Sequence, residues 1–138
     1  MAHALPPLES MIRTLVATPS VSSLQPALDQ GNGTVCERLA DWLEPLGFSI
    51  DIKPVPGQPG KVNLVARSGG GGDGLVLAGH TDTVPFDAAL WRHDPFGGEC
   101  RDGRLYGLGS ADMKSFLAVV AHAAARVDLG KLARPLVI

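Results

Sequence analysis

The sequence predicts an α/β fold. Two observations point there. Three segments carry apolar residues at helical spacing, and four short runs that are apolar, or that alternate apolar with polar residues, fall between and after them. The chain has 138 residues, enough for one domain with a real core. Its 45% hydrophobic and 19% charged residues make a globular composition.

The first helix is predicted over Leu8 to Ala17, where Leu8, Met11, Ile12, Leu15 and Val16 share a face and Pro19 stops the pattern. A polar loop follows over residues 20–33. Asn32 or Thr34 can cap a second helix that runs through Leu46, with Val35, Leu39, Trp42, Leu43 and Leu46 on one stripe and Gly47 at its end. Phe48 to Lys53 alternates, which predicts a strand with one wet face, and Val62 to Ala66 is the next strand. Between them Pro54 to Gly60 turns. The Gly69–Gly72 run with Asp73 and Gly74 precedes a strand, whereas a dinucleotide fingerprint follows one, so it is read as a connector. Leu75 to Gly79 is predicted to be a buried strand. The connection over residues 85–111 is long for a compact domain and holds the strand-like Arg104 to Tyr106. Ala111 to Val127 forms the densest helical pattern. Pro135 to Ile138 begins another buried strand, and the chain is expected to be the first part of something longer.

The totals exclude several classes of function. A net charge of −2 offers nucleic acid or an anionic membrane no attraction. Met1 to Pro7 lacks the basic and apolar regions of a signal peptide, and no run of about 18 apolar residues could span a bilayer, so a cytoplasmic location is expected. Cys36 and Cys100 form no CxxC pair and are read as buried small hydrophobes in a reducing compartment.

Two stretches carry chemistry. In Leu75 to Pro85 an apolar run ends at Gly79, and His80 and Asp82 follow. Ligands bind beyond the carboxyl ends of strands in open α/β sheets, and in extended backbone residues i and i+2 point the same way. An imidazole and a carboxylate would then share one small space, although a His-x-Asp in a loop is often only a hydrogen-bonded pair. The second stretch is Gly103 to Ser115. Gly107 and Gly109 permit close approach, and Asp112 stands at the mouth of the third helix, where it could equally be an ordinary N-cap. Lys114–Ser115 has the look of a Walker ending but follows Met113 rather than Gly. Taken together, His80 offers nitrogen and Asp112 offers oxygen, both of which zinc accepts, yet a catalytic zinc needs three protein ligands. His3, His93 and His122 are read as uninvolved, and Glu99 and Asp102 as solvated loop residues.

Gly79-His-Thr-Asp-Thr-Val-Pro85, Trp91 with Asp94-Pro-Phe96, and Arg101 through Lys114 closely resemble the co-catalytic zinc aminoacylase/carboxypeptidase family. Leu15 to Ser22, Ala27 to Gln30 and Pro54 to Gly57 extend the likeness over essentially the whole chain. The resemblance implies an incomplete catalytic domain, residues 1–138, of a zinc-peptidase-like three-layer α/β/α fold whose central sheet is mostly parallel. It implies a metal-dependent amidohydrolase that removes the acetyl group of N2-acetyl-L-ornithine in arginine biosynthesis. A deacylase for acetylcitrulline or succinyl-diaminopimelate, or a non-catalytic remnant, are the alternatives. Two Zn2+ ions, or Co2+, are implied, with His80 as a ligand of one and Asp112 bridging both. Asp82 is implied as the active-site acid that orients His80, and a cis bond is expected between Asp112 and Met113. The family's general base is a Glu-Glu pair just past the strand that starts at Leu136, and its lid domain forms a homodimer. Both would lie beyond Ile138, so the 138-residue chain is expected to be inactive by itself.

Overall fold

The computed structural model describes residues 5–138; His3 lies outside them. Three helices, α1 (Leu8–Val16), α2 (Gly33–Leu43) and α3 (Lys114–Ala124), accompany six strands. The strands are β1 (Ser49–Pro54), β2 (Val62–Ser68), β3 (Leu75–Val76), β4 (Glu99–Arg101), β5 (Arg104–Tyr106) and β6 (Leu136–Val137). Four of them form a sheet in the order β1-β2-β6-β3, while β4 and β5 form a separate hairpin.

The α/β expectation holds, with two corrections of detail. β1 pairs antiparallel with β2, and β2 antiparallel with β6; the parallel pairing is β3 with β6. A short turn can join antiparallel neighbours, and Val55 to Lys61 is such a turn, closed by Val55 N–H to Lys61 O at 2.9 Å. The second correction concerns layers. Met11 and Leu15 of α1, Leu39 and Trp42 of α2, and Leu117 and Ala121 of α3 join Ala66 and Leu136 of the sheet in one core. Strand alternation puts Val65 and Val76 on the opposite face, where both are exposed. Among the described residues the helices therefore cover one face of the sheet.

The run Leu75 to Gly79 is not the buried strand its apolarity predicts. β3 has two residues, 60% and 62% exposed, because it lies at the sheet edge and pairs on one side with β6. The chain beyond it is fastened by other means. Leu77 N–H donates to Val137 O at 2.8 Å, Thr83 N–H to Ser20 O at 3.0 Å, and Ser22 N–H to Thr83 O at 2.8 Å, making an isolated parallel bridge between Val21 and Thr83. The Ser20 hydroxyl donates to Thr81 O at 2.7 Å.

Asn32 does not make the expected capping bond, although it occupies the N-cap position of α2. Its amide nitrogen donates to Val62 O at 2.9 Å and Thr81 Oγ1 at 2.7 Å, while its amide oxygen accepts from Val62 N–H at 2.8 Å. One side chain thus ties the start of α2 to β2 and to the residue beside His80. Asn32→Ala should leave Val62 N–H and Thr81 without these partners and cost about 1–3 kcal/mol. Urea denaturation measures this, and an unchanged midpoint would show that the clamp carries no stability.

Candidate metal centre

Two glycines let the site close. A Cβ at Gly79 would meet Leu117 Cδ2 at 2.9 Å and Met113 Cε at 3.2 Å, so glycine lets the end of the β3 segment lie directly on the start of α3. Gly109, at φ +82°, holds the loop before α3 in the left-handed region, where a Cβ would meet Thr83 Cγ2 at 2.8 Å. The segments that carry His80 and Asp112 are thereby brought together across the 32 residues that separate them.

The resulting geometry is specific. His80 Nδ1 lies 3.0 Å from Asp82 O and 3.2 Å from Asp82 Oδ1, and His80 Nε2 lies 2.9 Å from Asp112 Oδ1. Asp82 and Asp112 therefore flank the ring on opposite nitrogens. The N-cap alternative for Asp112 does not apply: Met113 holds that position and makes no side-chain capping bond. The Asp112–Met113 peptide bond is cis, as the resemblance implies. Among the described residues no three His, Cys, Asp or Glu side chains converge as a group able to hold a metal. His80 and Asp112 face each other as a pair, while Asp82 stands behind the ring.

Both ring nitrogens face oxygen acceptors, and a neutral imidazole has one N–H. Either the ring carries a second proton or Nε2 and Asp112 share a cation. Partial burial works against the charged ring. The hydrogen bond to Asp112, the Asp82 carbonyl and the two aspartate charges more than offset it, so the pKa of His80 lies above the ordinary histidine value. The pair fits part of a zinc site on its donor chemistry, imidazole nitrogen beside carboxylate oxygen. Asp82 fits the oxygen acceptor that fixes the tautomer of a ligating histidine. Trp91, Thr83 and Gly109 join His80 and Asp112 in lining a cleft of about 270 Å³.

Sequence reasoning missed one residue beneath the site. Lys114 is wholly buried, and its Nζ donates to Thr18 O at 2.6 Å. Burial pushes its amine down to about 8, with the Asp82 charge pulling the other way. A lysine in the first turn of a helix normally reads as solvated, so nothing in the local pattern marks it. Other expectations change as well. Cys36 is buried, but Cys100 is exposed on the β4–β5 hairpin. Glu99 is paired rather than merely solvated: it lies 2.7 Å from His93 Nδ1, and the His93 ring stacks on Tyr106 at 4.2 Å.

Comparison with known proteins defines first a structural class. The chain shares its fold with a M20 family metallo-carboxypeptidase, Sso-CP2, from Sulfolobus solfataricus. The TM-score is 0.78 at 20% identity, over 96% of this chain and 30% of that one. It also superposes on human carnosine dipeptidase 1, with a TM-score of 0.72 at 23% identity, over 94% of this chain and 30% of that one. The chain thus spans about a third of the length of the solved structures it matches. More particularly, residues 76–138 match the model of Peptidase family M20/M25/M40, a span that contains His80, Asp82 and Asp112. No helix among the described residues is long and apolar enough to cross a membrane.

The raised pKa gives a signed expectation for the metal-free chain. Protonation of His80 stabilises the folded state below the ordinary value of about 6.5, and this contribution is lost as pH rises through the higher folded value. Asp112→Asn removes a hydrogen bond and a charge that raise the pKa, so it should lower the titration midpoint of the His80 ring in an NMR titration. A midpoint that Asp112→Asn leaves in place would show that the contact does not form in solution.

Proposed function

We propose that the chain is the part of a metal-dependent amidohydrolase of Peptidase family M20/M25/M40 that supplies His80 and Asp112 to a zinc centre. The observation that carries this reading is the His80 ring with an acceptor on each nitrogen, inside the span matched by the family model. A bound zinc, or cobalt in its place, would polarise an amide carbonyl and lower the pKa of water. His80 would hold one ion through Nε2, and Asp112 would bridge it to a second. Asp82 would fix the tautomer of His80 from Nδ1 and raise its basicity. The cleft lined by Trp91, Thr83 and Gly109 would admit the substrate amide beside these residues.

The substrate reading is N2-acetyl-L-ornithine, cleaved to L-ornithine and acetate in the cytoplasm as a step of arginine biosynthesis. The enzyme would then be an acetylornithine deacetylase acting on a linear amide. It rests on the sequence resemblance of residues 15–22, 27–30 and 54–57 as well as the two main motifs. The complete enzyme would be a homodimer through a domain not included in these 138 residues, and its general base and further ligands would also come from outside them. Loss of a general base alone typically lowers rates about 10²–10⁴-fold. The 138-residue chain with Zn2+ or Co2+ should therefore release no ornithine above background. A longer protein containing this sequence should turn over N2-acetyl-L-ornithine in preference to acetylcitrulline and N-succinyl-diaminopimelate. Its His80→Ala variant should bind Co2+ at least about tenfold more weakly. Equal Co2+ affinity in that variant would sink the ligand role, and a preference for another N-acyl amino acid would sink the substrate reading.

A further inference from the structure

We propose that Lys114 is a positioning residue for the His80–Asp112 pair, its buried side chain locking the start of α3 and the loop before it against the segment that carries His80. The inference takes its purpose from the metal reading above; its geometry stands without it. Lys114 follows Asp112 by two residues, so whatever fixes its side chain limits where the Asp112 carboxylate can go. Three contacts hold the residue, one from its backbone and two from its side chain. Its backbone N–H donates to Gly109 O at 2.8 Å, closing the loop that leads into α3. Its Nζ donates to Thr18 O at 2.6 Å, just past the end of α1. Its stem passes under Gly109, where a Cβ would meet Lys114 Cδ at 3.2 Å and Thr83 Cγ2 at 2.8 Å. The stem and Thr83 therefore meet at one glycine, from the two sides of the site. Thr83 is itself bridged to Val21, and Ser20 bonds both Thr81 O and Thr83 N–H. Thr18, at the other end of the lysine, is only two residues before Ser20. The side chain thus closes a loop of contacts running from Thr18 through Ser20 and Thr83 to Gly109 and back to the start of α3.

Burial is the second reason to assign a role. A lysine is seldom wholly removed from solvent, because its ammonium leaves water at a cost that one hydrogen bond does not recover. An apolar chain of the same length would fill the space under Gly109 at less cost. It would not reach across to a carbonyl and fix the separation of α1 and α3 at the site. The amine is therefore assigned to holding Asp112 opposite His80, rather than to filling the core.

The test reads the contact directly in the metal-free chain, at one fixed pH, from the ring nitrogen signals of His80 in NMR. Asp112→Asn supplies the spectrum of the lost contact. Lys114→Met should move the His80 signals most of the way toward that spectrum. Lys114→Gln, which keeps an N–H donor, should move them part of the way and gives the answer if the methionine variant does not fold. Leu39→Ala, a core truncation on α2, controls for a general loss of stability and should leave the signals in place. His80 signals unchanged in the folded lysine variants, or moved equally by Leu39→Ala, would overturn the proposal. Co2+ binding is measured in parallel in a longer protein containing this sequence and should weaken at least about tenfold in Lys114→Met. Absence of Co2+ binding by the unaltered longer protein would count against the metal reading, while the His80 signals would still decide the role of Lys114.

Discussion

The imidazole of His80 has an acceptor oxygen on each nitrogen, and much of the chain is arranged to keep it so. That arrangement is electrostatically unstable for a neutral ring, because one nitrogen must present a lone pair to an oxygen. A cation resolves it, either a proton or a metal ion. The surrounding structure holds the oxygens in place rather than letting them turn away. Asp82 is held because Thr81 and Thr83, on either side of it, are fastened to Asn32 and Ser20. Asp112 is held because the loop before it closes at Gly109 and Lys114.

The support comes from a part of the chain distant in sequence from the donors. His80, Asp82 and Asp112 all lie in residues 76–138, the span of the family match. The groups that fix them lie earlier: Thr18 O, the Ser20 hydroxyl and the Asn32 amide. The irregular segment from Leu77 to Thr83 is thus treated as a strand without being one. It donates to Val137 O on one side and, on the other, donates to Ser20 O and accepts from the Ser20 hydroxyl and Ser22 N–H, in place of a continuous ladder.

How much of this the sequence discloses follows from what each signal depends on. α1, α2 and α3 are legible because their apolar stripes repeat at helical spacing and face one core. The meeting of His80, Asp82 and Asp112 is legible because an abrupt change of polarity follows Gly79 and a glycine-rich approach leads to Asp112. The burial of Leu75 and Val76 is misread because apolarity reports the preference of a residue, whereas exposure depends on which strand lies next to it. Asn32 is read as a cap because local pattern cannot show that Val62 and Thr81 approach it. The burial of Lys114 is invisible for the same reason: its partner, Thr18 O, is 96 residues away.

The separation of roles around His80 also limits what these residues could do with a metal. Asp82 occupies Nδ1, so it cannot act as a donor to an ion on Nε2 through the oxygens that face the ring. That leaves one nitrogen and one carboxylate on the open side, one donor short of the three that a catalytic zinc takes from protein. The Asp112 side chain is 84% exposed and meets His80 through Oδ1. On the proposed reading, the spacing of the two donors would be set before an ion arrives, and the remaining positions would fall to other groups and to water. On that reading, positioning rather than enclosure is what the His80 and Asp112 segments would contribute, and a buried lysine that reaches across the fold to a carbonyl suits that task better than another apolar contact would.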